Sequence, residues 1–416
     1  MSNAIYVYEN FSAKEPFLIG RLYVDVSRGT EHHSFEFEKE WLKGHHRSFV
    51  LDPDLLPIQG RQYPSGQKAT FGIFSDASPD RWGRVLMDRR ERFVADREKR
   101  KPRRLNAGDY LLGVYDETRM GAIRFKMDLN GAFLSDDKET AAPPWATLRT
   151  LEEASRNFEN EETTLQEKWL NQLIKPGSSL GGARPKATVQ APDCSLWIAK
   201  FPSRKDEYNM GAWEKTAHDL ARLCGLNVPE SKLENFSKLG STFLTKRFDR
   251  EGSQRKHFAS AMTMLGKTDG VSAEDGSGYL DIVSFLKANG ASPKEDIAEL
   301  WRRIVFSMAI TNTDDHLRNH GFLLQKNGWR LSPVYDVNPC AYGDTLALNV
   351  DEYSNEISLE LAIGASGYYG LTRDQAEQFA ADCVKTVKCN WEKIATKNGL
   401  SRGAIEYMRP AFSLCK

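Results

Sequence analysis

Short apolar runs broken by turns open the chain: Ile5 to Tyr8, Phe17 to Val26 and Ser34 to Phe37 are expected as β-strands. The period then changes. Between Pro79 and Ala95 the apolar residues Trp82, Val85, Leu86 and Phe93 recur near helical spacing, which predicts a helix. Two further apolar runs, Tyr110 to Val114 and Ala122 to Phe125, frame the turn Thr118-Arg119-Met120-Gly121. Residues 136–144 are polar and end in Ala-Ala-Pro-Pro, the expected linker.

From about residue 150 helical spacing dominates. Helices are expected near 148–158 and 164–173, before the glycine-containing stretch Lys175 to Lys186. A hairpin follows, with strands at 186–190 and 196–201 around a Pro-Asp turn. Next, Trp213, Ala217, Leu220, Ala221 and Cys224 form one helical stripe, closed by Gly225 with Pro229 beyond it. Thr242 to Phe248 reads as a strand, and after Arg255 the segments 282–286, 295–310 and 374–391 read as helices. A smaller β-rich part before a larger helical part makes the expected fold class α+β. Its expected domains are 1–145, 146–252 and 253–416.

Composition narrows the function. At 416 residues the chain exceeds one small core. No apolar run approaches the ~20 residues of a membrane-spanning helix, and the start has neither a basic cluster nor an apolar stretch, so no secretion signal is expected. The six cysteines are scattered without a Cys-x-x-Cys spacing, which argues against a zinc site and a disulfide framework and fits a reducing cytoplasm. Lys plus Arg equals Asp plus Glu at 57 each, so no bulk attraction to nucleic acid exists. One basic run, Arg97 to Arg104, reads as a solvated helix end and loop; the other reading is a surface for DNA or an acidic partner.

The chemistry concentrates after the helix that buries Trp301, Ile304, Val305, Met308 and Ala309. Asn312-Thr-Asp-Asp-His-Leu-Arg-Asn-His-Gly321 follows it directly, and a hairpin then returns the chain to Val334-Tyr335-Asp336. Phosphoryl transfer needs a carboxylate for the attacking hydroxyl and oxygen ligands for Mg²⁺. Asp314 and Asn319 have the interval of the Asp and Asn in a kinase catalytic loop, and Asp336 lies across a hairpin where a second metal-binding Asp belongs. Spacing alone leaves open a helix C-cap with solvated acids and Asp336 in an ordinary turn. A metalloprotease reading of His316 and His320 fails, because Leu317 stands where a Glu base is required.

Three other stretches carry weaker signals. Leu196 to Lys200 resembles the strand with a kinase's phosphate-binding lysine, and Glu214 on the following helix is able to pair with Lys200. An exposed strand lysine and a dipole-favoured Glu remain the alternative. Gly177 to Gly182 could lay N–H groups on phosphates, yet Ala183-Arg184 replaces the Lys-Ser/Thr of a Walker A loop, which leaves a flexible linker open. Asp269 to Asp281 lacks EF-hand spacing and reads as a mobile surface loop.

Taken together, the segments resemble the HipA family of bacterial toxin–antitoxin kinases across nearly the whole chain. The resemblance rests on Gly182-Ala-Arg-Pro-Lys186, Ile198-Ala-Lys-Phe-Pro202, Leu223-Cys-Gly-Leu-Asn-Val-Pro229, Thr245-Lys-Arg-Phe-Asp-Arg250, Thr313-Asp-Asp-His-Leu-Arg-Asn319 and Leu331-Ser-Pro-Val-Tyr-Asp336. Phe74 to Gly83, Asp109 to Val114 and Arg119-Met-Gly121 extend it toward the N-terminus.

The resemblance implies a two-lobed protein-kinase-like fold with a smaller β-rich N-terminal domain and a mainly helical C-terminal lobe. It implies an ATP- and Mg²⁺-dependent serine/threonine kinase. Lys200 would hold the ATP phosphates, Glu214 would hold Lys200, and Lys246, Arg247 and Phe248 would lie along the adenine. Asp314 would be the catalytic base, Asn319 and Asp336 the metal ligands, and His316 a supporting member of the loop. Autophosphorylation in the glycine-containing loop would fall on Ser179 or its neighbour Ser178. The implied partners are a helix-turn-helix antitoxin, DNA only through that antitoxin, and an aminoacyl-tRNA synthetase as substrate. A non-enzymatic role, as corepressor partner of the antitoxin, is the alternative that the 97–104 run keeps open. One position departs from many relatives: a small residue is replaced by Asp315, whose carboxylate is expected to point to solvent.

Overall fold

Strands β1 (Asn3–Glu9), β2 (Phe17–Ser27), β3 (Thr30–Phe37) and β4 (Ile123–Lys126) form an antiparallel sheet in the order β3-β2-β1-β4. One face is apolar because Ile5, Val7, Leu22, Phe35 and Phe125 alternate inward, each almost completely buried. Gly20 is required where it is: a Cβ there would stand 2.2 Å from the Glu36 carbonyl oxygen and 2.6 Å from the Phe35 ring. The computed structural model describes residues 3–12, 15–44, 50–66, 68–134, 142–159, 173, 182 and 184–415.

By its internal packing the chain divides into two units, Met1–Arg204 with Lys246–Ala259, and Lys205–Thr245 with Ser260–Lys416. The expected boundary at 145 therefore lies inside the first unit, and 252 lies in its second chain segment.

In the first unit the sheet is joined by helices α1 (Lys39–Lys43), α2 (Gly72–Asp76), α3 (Arg81–Arg97), α4 (Ala107–Leu112) and α5 (Leu148–Glu159). The apolar run at Tyr110 to Val114 thus belongs largely to a helix. A capping box between Asn106 and Asp109 starts it. Trp82 of α3 meets Phe158 of α5 edge to face at 5.3 Å. The hairpin of β5 (Lys186–Gln190) and β6 (Leu196–Lys200) pairs in the register Lys186↔Lys200, as expected.

Three charged groups organise this unit's interior. Arg119, 1% exposed, donates to the carbonyls of Ala77 (2.7 Å), Leu111 (3.0 Å) and Val114 (2.8 Å). These are carbonyls at or just past the C-terminal ends of α2 and α4, which have no helical partner. Burial lowers its pKa to about 9. Asp249 accepts the Gly121 N–H at 2.8 Å and both Arg247 and Arg250. Lys186 sits 3.1 Å from Asp80, the N-cap of α3, with both side chains buried. The Arg119, Gly121–Asp249 and Lys186–Asp80 contacts each join two of the motifs that carry the family resemblance.

The second unit is built on α6 (Met210–Leu223), the hairpin β7 (Ser231–Glu234) and β8 (Thr242–Lys246), α7 (Ala261–Met264), α8 (Tyr279–Asn289) and α9 (Pro293–Ala309). The hairpin β9 (Gly321–Gln325) and β10 (Gly328–Leu331) follows, then α10 (Leu359–Ala365), α11 (Arg373–Lys397) and α12 (Arg402–Met408). Leu300, Trp301, Ile304, Val305 and Met308 of α9 have no exposed surface, so this helix is the core. Gly225 takes φ +79 just past α6, the left-handed helix end that its position predicts. The segment 269–281 differs from the mobile loop expected of it: Ser272 and Asp275 make a capping box, and Asp281 belongs to the first turn of α8. Cys194, Cys224, Cys340, Cys383 and Cys389 are free thiols, with the Cys224 and Cys383 sulfurs 3.6 Å apart between α6 and α11. Among the described residues no helix is long and apolar enough to cross a membrane.

Candidate active site

In the second unit the core helix α9 stops abruptly. Thr311 adopts φ +51, and the Asn312 N–H turns back to Ser307 at 2.8 Å. The loop that follows is held by its own backbone. The Asp314 carbonyl accepts the His316 N–H (3.0 Å) and Asn319 Nδ2 (2.7 Å), and the Asn319 N–H reaches the His316 carbonyl at 2.8 Å. Two outer hydrogen bonds clamp the loop: Met262 N–H to the Leu317 carbonyl and Ala261 N–H to the His320 carbonyl, at 3.2 and 2.8 Å.

Neighbouring side chains face opposite ways. The Asp314 side chain is 89% exposed, with His316 Nε2 at 3.9 Å. Asp315 is 6% exposed. Its Oδ2 accepts the Tyr279 hydroxyl at 2.8 Å, and His320 Nε2 lies 3.0 Å from its Oδ1. This overturns the expectation that Asp315 points to solvent. Leu317 faces inward too. Burial opposes the charge on Asp315, but His320 and the bond from Tyr279 hold its pKa below the ordinary carboxylate range. Burial and the same carboxylate push the Tyr279 hydroxyl far up.

Asp336 is brought to this loop from both sides. One residue before it, the Tyr335 hydroxyl donates to the Arg318 carbonyl at 2.7 Å. Two residues after it, the Asn338 N–H reaches Asn312 Oδ1 at 3.4 Å. Asp336 itself takes φ +57, a conformation uncommon outside glycine. The hairpin leading there is fixed to α9 by Asp296, which accepts Arg330 at 2.9 Å and the Leu331 N–H at 3.1 Å.

Asn319 is 6% exposed, and its Oδ1 is a buried acceptor with no hydrogen-bond partner. Such an oxygen suits a hard cation. Among the described residues no group of three or more His, Cys, Asp or Glu gathers around a metal position. A magnesium held by one amide oxygen and one carboxylate, with phosphates and water completing it, needs no such group.

The remaining expected residues divide between the units. Glu214, in the second turn of α6, is 2% exposed. The helix dipole fades within the first turn, so it does not account for this glutamate. In the first unit Lys200 ends β6 half-buried. Lys246 and Arg247 line a cavity of about 710 Å³ with Arg124, Arg250 and Arg255. Those guanidinium groups are committed to Asp116 and Asp249, and Arg247 also donates to the Thr118 and Arg119 carbonyls. Its side chain serves the fold. Phe248 packs on Phe258 with ring centroids 5.9 Å apart. Ser178, Ser179 and Gly177 to Gly181 lie outside the described residues. In the basic run, Arg100 binds Glu91 and Glu98, and Arg103 binds Asp109, so two of its six basic side chains are engaged with nearby acids.

A sequence model described as the HipA-like C-terminal domain matches residues 178–391, more than half of the 416 residues. The chain belongs to the HipA-like family. The match spans Lys200, Glu214, the Asp314 to Asn319 loop and Asp336. Over 186 residues the chain is 26% identical to a Haemophilus influenzae protein named "Putative kinase", a stretch that is 39% of this chain and 54% of that one. Over 169 residues it is 30% identical to "Putative kinase Y4dM" of Sinorhizobium fredii, 37% of this chain and 40% of the relative. It therefore spans about half, or less, of the length of these curated relatives. A chain of the Shewanella oneidensis MR-1 toxin–antitoxin complex of HipA, HipB and operator DNA matches with a TM-score of 0.69 at 16% identity, over 99% of this chain and 96% of that one. That likeness is one of fold, and the α+β organisation expected from the sequence stands.

Proposed function

We propose that this HipA-like chain is an ATP- and Mg²⁺-dependent protein serine/threonine kinase that acts as the toxin of a toxin–antitoxin pair. The observation that carries the reading is the loop in which an outward Asp314 stands five residues from a buried, unpartnered Asn319 oxygen, with Tyr335 and Asn338, on either side of Asp336, bonded to the same loop. When bound, magnesium supplies charge neutralisation on the phosphates. Asn319 Oδ1 and the Asp336 carboxylate would hold it. Asp314 would accept the proton of the attacking serine or threonine hydroxyl, a role worth ~10²–10⁴-fold in rate. Lys200 would hold the ATP phosphates with Glu214 orienting it, His316 would support the loop, and the backbone of Lys246 to Phe248 would border the adenine.

The wider reading follows from family membership. The partner would be a helix-turn-helix antitoxin, with DNA engaged only through it, and the substrate an aminoacyl-tRNA synthetase in the cytoplasm. Autophosphorylation at Ser179 or Ser178 would switch the enzyme off.

Transfer of label from γ-labelled ATP tests the core of this. We expect incorporation into the chain itself that disappears in both Asp314→Asn and Asp336→Asn. Asparagine is the substitution to use at 336, because it tolerates the left-handed backbone while removing the charge. Full transfer in both variants would overturn the assignment.

A further inference from the structure

The carboxylate next to the proposed base is buried, and its partners come from three elements. Tyr279 belongs to α8, Ser307 to α9, and His320 follows the loop into β9. The Tyr279 hydroxyl donates to Asp315 Oδ2 at 2.8 Å and the Ser307 hydroxyl approaches the same oxygen at 3.4 Å. His320 Nε2 lies 3.0 Å from Oδ1, and its ring meets Tyr279 edge to face at 5.6 Å. Tyr279 has no exposed surface, and its own N–H is held by the Asn349 carbonyl at 2.9 Å. The anchor is therefore rigid.

A carboxylate is a costly way to fill such a site. Desolvating it offsets most of what its partners return, and an apolar side chain of similar size often does as well for stability. What it adds is direction, because hydrogen bonds fix an orientation that apolar packing leaves loose. Asp315 shares a peptide with Asp314. Pinning Asp315 inward forces the Asp314 side chain outward, and the Asp314 carbonyl is at the same time gripped by Asn319 Nδ2 at 2.7 Å. The peptide between the two acids is thus held from both sides.

We infer that Asp315 is a positioning residue, which through Tyr279 and His320 sets the direction in which Asp314 meets the acceptor hydroxyl. The inference rests on the kinase reading above. Asp315 touches neither nucleotide nor acceptor; it acts through its neighbour. A misplacement of about 1 Å at a reacting group costs on the order of 10²-fold, so loosening one anchor is expected to fall between that and no effect.

The test uses the full chain, with label incorporation from ATP measured across ATP concentrations. For Asp315→Asn we expect a maximal rate lower by roughly ten- to a hundred-fold, with half-saturating ATP changed by less than about twofold. Tyr279→Phe should show the same signature more mildly, and the double variant should be no slower than Asp315→Asn alone. An unchanged maximal rate in Asp315→Asn, or a loss that only tracks the unfolded fraction in a melting curve, overturns the inference. Should Asp315→Asn fail to fold, Tyr279→Phe decides, since it removes one hydroxyl: an unchanged rate counts against the inference. No label transfer by the unaltered chain would sink the kinase reading itself, and full transfer in Asp314→Asn would sink its choice of base. Loss in Asp314→Asn with full activity in Asp315→Asn would sink only the positioning role.

Discussion

Lys186 reaches Asp80 across the interior of the first unit, with the ammonium 3.1 Å from Oδ2 and side-chain exposures of 2% and 1%. The other carboxylate oxygen caps α3 by accepting the Gly83 N–H at 2.7 Å. Asp80→Ala would remove both the cap and the carboxylate that pairs with the buried Lys186 ammonium. We expect a loss of about 3–5 kcal/mol from the ion pair, with about 1 kcal/mol more for the cap. Chemical denaturation followed by tryptophan fluorescence measures it, and a loss under about 1 kcal/mol would show the pair to be dispensable.

Asp249 contributes to the acid sensitivity of the same unit. Burial opposes its charge, but Arg247 and then Arg250 bring its pKa down to about 2. A depressed folded-state pKa contributes stability that is present above the unfolded value of ~3.9 and lost as pH falls through the folded one. Between about pH 4 and 2 the first unit should therefore lose roughly 2–3 kcal/mol through this group. Asp249→Asn should be less stable at neutral pH and show a flatter acid profile, read by circular dichroism against pH.

Gly211 is where α6 passes the strand segment at Ser241. A Cβ there would stand 2.1 Å from the Ser241 carbonyl oxygen, a backbone atom with no freedom to move aside. Gly211→Ala should cost about 1–3 kcal/mol by overpacking and displace the helix that carries Glu214. Thermal melting checks the first effect, and the ATP concentration for half-maximal labelling checks the second.

Tyr335 holds the loop by a single hydroxyl, bonded to the Arg318 carbonyl at 2.7 Å. Tyr335→Phe deletes that bond and leaves the ring. About 1 kcal/mol of stability should go, with a several-fold slower label transfer. A transfer rate equal to the wild type would show that this contact does not hold Asp336 in place.

Sequence periodicity revealed most elements, since long helices such as α3, α9 and α11 bury one stripe and announce it locally. The Asp314 to Asn319 loop and Asp336 were legible for a similar reason: a core helix, a polar stretch and a hairpin follow one another in the chain. What stayed hidden depends on partners distant in sequence. Asp315 turns inward because Tyr279 and His320 wait there, and nothing near residue 315 names Tyr279. Arg247 looked like a nucleotide contact, yet its guanidinium is spent on Asp249 and the carbonyls of Thr118 and Arg119.

Arg119 carries a consequence for how this chain can change over generations. Its flat fork satisfies three carbonyls at once while buried. Lysine offers a point charge of different reach and geometry. An apolar residue would leave each carbonyl unpaired, at about 1–3 kcal/mol apiece. A domain's whole margin is ~5–15 kcal/mol, so every single step away from arginine approaches unfolding. A change at this one position is therefore expected to use up much of the margin that keeps the first unit folded.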